Sequence, residues 1–141
     1  MKTAIKKATL LAVFTCCASL MAADGGWLKK VPAQDRTRVN PYAGNSQAID
    51  AGKILFESNC AKCHGSEAQG KHNRPSLRSE RIEHEATDGD IAWLLKNGNS
   101  WKGMPSWSSL PEPQRWQIIA YLRSLPPLNA TAANGEPEGE K

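Results

Sequence analysis

Cysteines, aromatic residues and long apolar runs are all scarce in this chain of 141 residues. Only four residues are cysteine, and two of them, Cys16 and Cys17, lie in an N-terminal apolar stretch. The remaining pair, Cys60 and Cys63, is too small for a disulfide framework. No later stretch approaches the roughly 20 apolar residues of a membrane-spanning helix. These absences argue against a disulfide-stapled scaffold and an integral membrane protein.

The excess of positive charge is also small once the N-terminus is set aside. The formal net charge is +4, and Lys2, Lys6 and Lys7 supply three of these charges, so +4 minus 3 leaves +1 for the rest. This weak charge gives no support to nucleic-acid binding. The sequence also contains no internal repeat.

The N-terminus has the layout of a secretory signal peptide. Lysines precede an apolar stretch over residues 8–21, and Ala22 and Ala23 lie before Asp24. We expect cleavage near residue 23 and export of a soluble protein to the periplasm. A lipid anchor on Cys16 or Cys17 is the alternative, although Thr15 or Cys16 would then occupy the position where a small residue is expected.

Helical periodicity marks three segments of the exported chain, and no segment alternates like a strand. The predicted helices run from Ile49 to Cys60, from Asp88 to Asn97, and from Pro111 to the residues before Pro126. Thr87 and Asp90 form a capping box for the second helix, and Gly98 ends it. Pro111 stands at a favoured first-turn position of the third. We therefore expect an all-α fold.

Composition divides the chain into four parts. These are a signal peptide (1–23), an N-terminal extension (24–48), a helical domain (49–125) and a disordered acidic tail (126–141). The tail consists mainly of Pro, Asn, Ala, Gly and Glu, which cannot build a core. The extension either wraps the domain or docks on a partner, and the sequence does not choose between these.

The strongest chemical signal is the run Cys60-Ala61-Lys62-Cys63-His64. Two cysteines three positions apart, with a histidine directly after the second, form the attachment signature of c-type haem. The thiols can reach two vinyl groups on one porphyrin edge, while the histidine gives the iron an imidazole ligand. A thioredoxin-like site would need a βαβ context and a zinc site a second ligand pair, and neither is present.

The order of these elements resembles that of class I c-type cytochromes. The chain passes from a helix into the motif, then through a proline-containing loop, a helix, a methionine-containing loop and a last helix. The resemblance covers residues 49–125 and implies the cytochrome c fold around one covalently bound haem c. It also implies that His64 and Met104 are the axial ligands of the haem iron. Met104 is the only methionine outside the predicted signal peptide.

The resemblance also assigns residues around the haem. It implies that the carbonyl group of Pro75 accepts the ring N–H of His64 and that Leu77 covers the haem face. Trp107 follows Met104 by three residues, a position from which its ring can pack on the haem.

The resemblance further implies a close crossing of the first and last helices. The matching residues are Gly52 and Phe56 on the first helix and Tyr121 and Leu122 on the last. We interpret these four residues as structural.

Other side chains leave alternatives open. His72 and His84 can each replace Met104 as the sixth ligand, although both lie among polar residues typical of exposed loops. A buried haem propionate needs a donor, and the sequence does not choose among its three candidates. These candidates are Arg74, Arg78 and Trp101.

The resulting prediction is a monomeric cytochrome that passes single electrons between an unidentified donor and acceptor protein and is not an enzyme. Four lysines are expected to surround an exposed haem edge and steer acidic partners. They are Lys53, Lys62, Lys71 and Lys102. The alternatives are a fixed subunit of a dehydrogenase or oxidase complex, and a haem enzyme or sensor with an open sixth site.

Overall fold

The structure is a computed structural model that describes residues 26–128. The predicted signal peptide, and the predicted tail from residue 129 onward, lie outside the described residues. Within residues 26–128 the regular structure is helical, and β-type pairing is limited to two isolated bridges. The predicted all-α class is confirmed.

Five α-helices and three single turns make up this part of the chain. The helices are α1 (Ala33–Arg36), α2 (Ser46–Asn59), α3 (Ala61–His64), α4 (Asp88–Asn97) and α5 (Glu112–Ser124). The turns are 3₁₀ at Leu28–Lys30 and Ser100–Lys102, and π at Arg81–Glu85. Helices α2, α4 and α5 are the three predicted ones, whereas the short elements contain too few residues for a periodic signal. Within residues 26–128, no helix has the length and apolar character needed to cross a membrane.

Capping sets the starts of α2 and α4. Helix α2 begins three residues before the predicted Ile49, because the Asn45 side chain accepts a hydrogen bond from the Ala48 N–H at 3.0 Å. At α4 the Thr87 hydroxyl accepts from the Asp90 N–H at 3.1 Å, and the Asp90 carboxylate accepts from the Thr87 N–H at 2.8 Å. This is the predicted capping box, and α4 has the predicted bounds.

The start of α5 differs from the prediction by one residue. Pro111 is the N-cap and not a member of the first turn, which contains Pro113 instead. Both prolines fit this end because the first N–H groups of a helix have no partner within it. The helix ends at Ser124, before Pro126 as expected.

Helices α2 and α5 cross closely at Gly52. A Cβ atom on Gly52 would lie 2.0 Å from the Gln117 carbonyl oxygen, so a side chain cannot be accommodated at this distance. One turn later, the ring centroid of Phe56 lies 5.4 Å from that of Tyr121, and Phe56 is fully buried. The crossing that the family resemblance implies is therefore present, and it places the end of α2 in the core.

Residues 26–45, here called the N-terminal segment, pack on the helical core. Trp27 and Val31 each expose only 9% of their surface and belong to the same apolar cluster as Phe56. The segment therefore wraps the domain, which was the first of the two possibilities left open by the sequence.

Candidate cofactor-binding cavity

A cavity of about 1100 Å³ is lined by residues of α2, α4, α5 and the intervening loops. Its volume lies just above the roughly 300–1,000 Å³ of common small-molecule sites, which indicates room for a large cofactor. All of the predicted site residues line it. They are Cys60, Cys63, His64, Pro75, Leu77, Met104 and Trp107. The tertiary structure thus brings the predicted site residues to one place.

The end of α2 and the single turn α3 present two thiols and an imidazole. The Cys60 carbonyl oxygen accepts from the N–H groups of Cys63 at 3.1 Å and His64 at 3.0 Å. Because this turn is helical, residues three and four positions after Cys60 lie on the same side as Cys60. Cys60 is buried, Cys63 is exposed, and both are free thiols.

The environment of Cys60 keeps its thiol protonated. Burial raises the pKa of Cys60 to about 11, and the neighbouring Cys63 adds to the rise. At pH 7 Cys60 is therefore neutral, and as a nucleophile it is weaker than an ordinary cysteine because the thiolate is the reactive form.

The imidazole of His64 is oriented by the loop that follows it. The Nδ1 atom of His64 lies 3.0 Å from the carbonyl oxygen of Pro75. A carbonyl group only accepts, so Nδ1 carries the ring proton in this contact and Nε2 keeps its lone pair for a metal. Backbone hydrogen bonds from Gly70 to His64 (2.8 Å) and from Leu77 to Ala68 (2.9 Å) fold the loop back on the motif.

Met104 lies half-buried on a loop that is anchored to α4. Its N–H donates to the Asn99 carbonyl at 3.0 Å, and its carbonyl accepts from the Asn99 N–H at 2.9 Å. At Gly98, where φ is +71°, a Cβ would lie 2.6 Å from the backbone that follows Met104. The Trp107 N–H donates to the Leu95 carbonyl at 2.8 Å. These contacts fix the backbone of the loop beside the cavity that Met104 lines.

The two other histidines are not among the residues that line the large cavity. His72 is exposed and has a positive φ of 54°. The His84 side chain is 65% exposed, and its Nε2 lies 3.8 Å from a carboxylate oxygen of Glu80. His84 instead lines a separate cavity of about 230 Å³.

The structure separates the three candidates for a propionate donor. Arg74 and Trp101 line the large cavity, whereas Arg78 is not among its lining residues. Arg78 is buried, and it donates from Nε to the Pro126 carbonyl at 2.7 Å and from Nη1 to the Glu67 carbonyl at 3.3 Å. Arg78 therefore fixes the chain after α5.

Several residues that line the cavity belong to no sequence motif. Four apolar side chains come from α4 and α5: Leu94, Leu95, Ile118 and Leu122. Their spacing marks an amphipathic helix, but it does not reveal the cavity. The N-terminal segment contributes Gly26, Trp27 and Lys30, and no pattern in the sequence identifies them as site residues.

Basic side chains outnumber acidic ones at the cavity. The basic residues are Lys30, Lys62, Arg74, Arg81 and Lys102, and the acidic ones are Glu80 and Glu85. Among the four lysines proposed from the sequence, Lys62 and Lys102 line the cavity, whereas Lys53 and Lys71 are not among its lining residues. The side chains that line the cavity therefore carry a net positive charge.

A family model described as cytochrome c oxidase, cbb3-type, subunit III matches residues 47–122 of this chain. The cbb3-type cytochrome c oxidase subunit CcoP of Rubrivivax gelatinosus is 32% identical over 94 residues, which are 64% of this chain and 31% of that protein. Cytochrome c-554(547) of Halothiobacillus neapolitanus is 36% identical over 85 residues, 53% of this chain and 93% of that protein. Cytochrome c550 of Pseudomonas aeruginosa is 32% identical over 92 residues, 60% of this chain and 61% of that protein.

A solved cytochrome structure is also similar to this chain. The crystal structure of cytochrome cL from the marine methylotrophic bacterium Methylophaga aminisulfidivorans matches with a TM-score of 0.52 and 30% sequence identity. The match covers 60% of this chain and 59% of that one. The chain therefore spans less than a third of CcoP and nearly all of cytochrome c-554(547).

Proposed function

Because this chain belongs to the class I c-type cytochromes, matching the family described as cbb3-type oxidase subunit III, we propose that it is a monohaem carrier of single electrons. Family membership and the structural match confirm the predicted cytochrome c fold. They also imply covalently bound haem c and a role in electron transfer. Our proposal adds one haem, its ligands, its partners and an exported location.

The contact between His64 and Pro75 is the observation that carries the proposal. It leaves Nε2 of His64 available in the same cavity as two free thiols. The donor set fits haem c: Cys60 and Cys63 would hold it through thioethers, and His64 would be the proximal iron ligand. When bound, haem c supplies an iron that gains and loses one electron.

We assign the sixth ligand to Met104. Its loop is fixed beside the large cavity, whereas neither His72 nor His84 is among the residues that line that cavity. A thioether ligand favours the ferrous state and raises the reduction potential. If Met104 occupies the sixth position of the iron, no open site remains for a substrate. The proposed carrier therefore makes and breaks no substrate bonds.

The partners of the proposed carrier are redox proteins with acidic surfaces. Lys62 and Lys102 are exposed at the cavity, where their charges would attract such partners and raise the association rate. The proposed carrier acts as a monomer in the periplasm. Residues 1–23, proposed as the signal peptide that exports it, lie outside the described residues.

Visible and near-infrared spectra of the purified protein test the proposal. We expect haem that survives acid-acetone extraction, low-spin bands, and the weak charge-transfer band of sulfur bound to ferric iron. Met104→Ala should abolish that band and allow carbon monoxide to bind, while His72→Gln serves as the control and should retain it. A high-spin wild-type spectrum would instead favour an enzyme or sensor, and extractable haem would overturn covalent attachment.

The matches with the cbb3-type family model and with CcoP favour a second candidate, a fixed electron-transfer subunit of an oxidase complex. Gel filtration of the periplasmic fraction and of a detergent extract of the membranes, both from the native host, distinguishes the two candidates. A free carrier elutes at the size of this chain, whereas a subunit elutes with a large complex after mild detergent extraction.

A further inference from the structure

The N-terminal segment lies outside the region matched by the family model, yet it reaches the cofactor cavity. The family match begins at residue 47, whereas Trp27 lies 20 positions earlier. Trp27 lines the large cavity and is 91% covered by the protein, since only 9% of its surface is exposed. It belongs to the same apolar cluster as Phe56 and Leu95, which also line the cavity.

A first set of contacts fixes this segment to the start of α4. Arg36 donates from Nη2 to the Leu28 carbonyl at 2.8 Å, next to Trp27. Its Nε lies 3.1 Å from Oδ1 of Asp90, a fully buried carboxylate. The Thr87 hydroxyl donates to the Arg36 carbonyl at 2.8 Å. One arginine thus links the turn after Trp27 to the capping box of α4.

A second set fixes the segment to α5. The buried side chain of Asn40 donates to the Trp116 carbonyl at 3.0 Å. The guanidinium carbon of Arg38 lies 5.1 Å from the centroid of the Trp116 ring, and Arg38 also pairs with Glu112. Since α4 and α5 both contribute walls of the cavity, these attachments hold Trp27 in a defined position relative to those walls.

We propose that Trp27 is a haem-packing residue and that the N-terminal segment completes the haem pocket of this cytochrome. The proposal rests on the haem site of the proposed function. A tryptophan at this wall excludes water from the cofactor. Water stabilises the extra positive charge of ferric iron, so excluding it favours the ferrous form. Trp27 is thus a positioning and shielding residue and takes no part in iron ligation.

The test compares variants of the full-length holoprotein, with Trp93→Ala as the matched control. Trp93 is half-buried against the same core but is not among the cavity-lining residues. The readouts are the reduction potential against a redox mediator and circular dichroism in the Soret band. We use Trp27→Ala together with Trp27→Leu, which keeps apolar bulk for folding.

We expect Trp27→Ala to shift the equilibrium with the mediator toward ferric protein by about threefold to tenfold, where tenfold corresponds to 59 mV for one electron. Trp27→Leu should give a smaller shift in the same direction, and both should change the Soret dichroism. Trp93→Ala should leave the potential and the dichroism as in wild type.

Two results would overturn the role of Trp27, and a third would overturn the proposed function. A Trp27→Leu protein with wild-type potential and dichroism overturns it, even if Trp27→Ala is not recovered with haem. An equal shift of the reduction potential in Trp93→Ala overturns it as well, because the shift would then follow from looser packing of the apolar core. Wild-type protein without covalent haem defeats the proposed function itself, so the two failures are distinguishable.

Discussion

The guanidinium group of Arg74 donates from Nη1 to the carbonyl oxygen of Lys102 at 2.6 Å. Arg74 directly precedes Pro75, whose carbonyl orients His64, and Lys102 lies two residues before Met104. The hydrogen bond therefore joins the loop that orients His64 to the loop that carries Met104, and these two residues are the proposed axial ligands.

Arg74→Gln should loosen the Met104 loop. A hydrogen bond to a charged donor contributes about 1.5 kcal/mol, and its loss should favour detachment of the thioether. We expect the sulfur-to-iron charge-transfer band to disappear at lower guanidinium chloride concentration than in wild type. Lys71→Gln removes one positive charge from the same loop and should keep the wild-type midpoint. Equal midpoints for Arg74→Gln and Lys71→Gln would contradict the role of this hydrogen bond.

Gly52→Ala should destabilise the fold through the crossing of α2 and α5. The new Cβ would lie 2.0 Å from the Gln117 carbonyl oxygen, which forces the helices apart. Overpacking of this kind costs roughly 1–3 kcal/mol, and backbone contact places Gly52 at the upper end. Helical circular dichroism during denaturation measures the change. Gly26→Ala is the control, because no atom lies within 4 Å of its added Cβ, and it should melt like wild type.

The charge of Glu112 should make stability depend on pH in the acid range. Its carboxylate accepts from Trp116 Nε1 at 3.1 Å and pairs with Arg38, and these two contacts lower the pKa of Glu112 below the usual 4.5. A lowered pKa adds stability above pH 4.5, and this contribution is lost as pH falls through the lower folded-state value.

Glu112→Gln tests this dependence. The variant should be less stable than wild type at pH 7 by under about 1 kcal/mol, since the pair is half-exposed. The difference should shrink below pH 4, as measured by thermal unfolding across a pH series. A gap of constant size from pH 7 to pH 3 would argue against the charge as its source.

Substitution of His72 or His84 should leave the haem spectrum unchanged. Neither side chain lines the large cavity, and both are exposed. We expect His72→Gln and His84→Gln to keep the sulfur-to-iron band and the wild-type potential. A drop in potential or a change of axial spectrum in either variant would reopen ligation by two histidines.

Reversal of the cavity lysines should slow reaction with an anionic oxidant. Lys62→Glu/Lys102→Glu changes two exposed charges at the cavity, whereas Lys53→Glu/Lys96→Glu changes the same net charge elsewhere. Stopped-flow oxidation by ferricyanide at low salt should be several-fold slower in the first double variant only. The difference should vanish at about 1 M salt, where the screening length falls to about 3 Å. Equal rates in both double variants would remove the case for local steering.

Features that depend on neighbouring residues are predictable from the sequence. Spacing within five positions produced the haem-attachment motif, and a helical period predicted α2, α4 and α5. The capping box at Thr87 and Asp90 is likewise a local pattern, and it gave the bounds of α4 correctly. Such features follow from backbone geometry over one or two turns, so no tertiary information is needed. The roles of Cys60, Cys63, His64 and Met104 stay predictions until spectra are recorded.

Which distant residues share the cavity follows from the tertiary structure and not from a local pattern. Arg78, a candidate for the haem edge, donates instead to a carbonyl 48 positions later, and the Asn40 side chain finds its acceptor 76 positions away. Trp27 lies at the cavity wall in a segment that Arg36 and Asn40 attach to α4 and α5. Contacts of this kind form when buried polar groups find hydrogen-bond partners across the folded core. A local sequence pattern does not predict those partners.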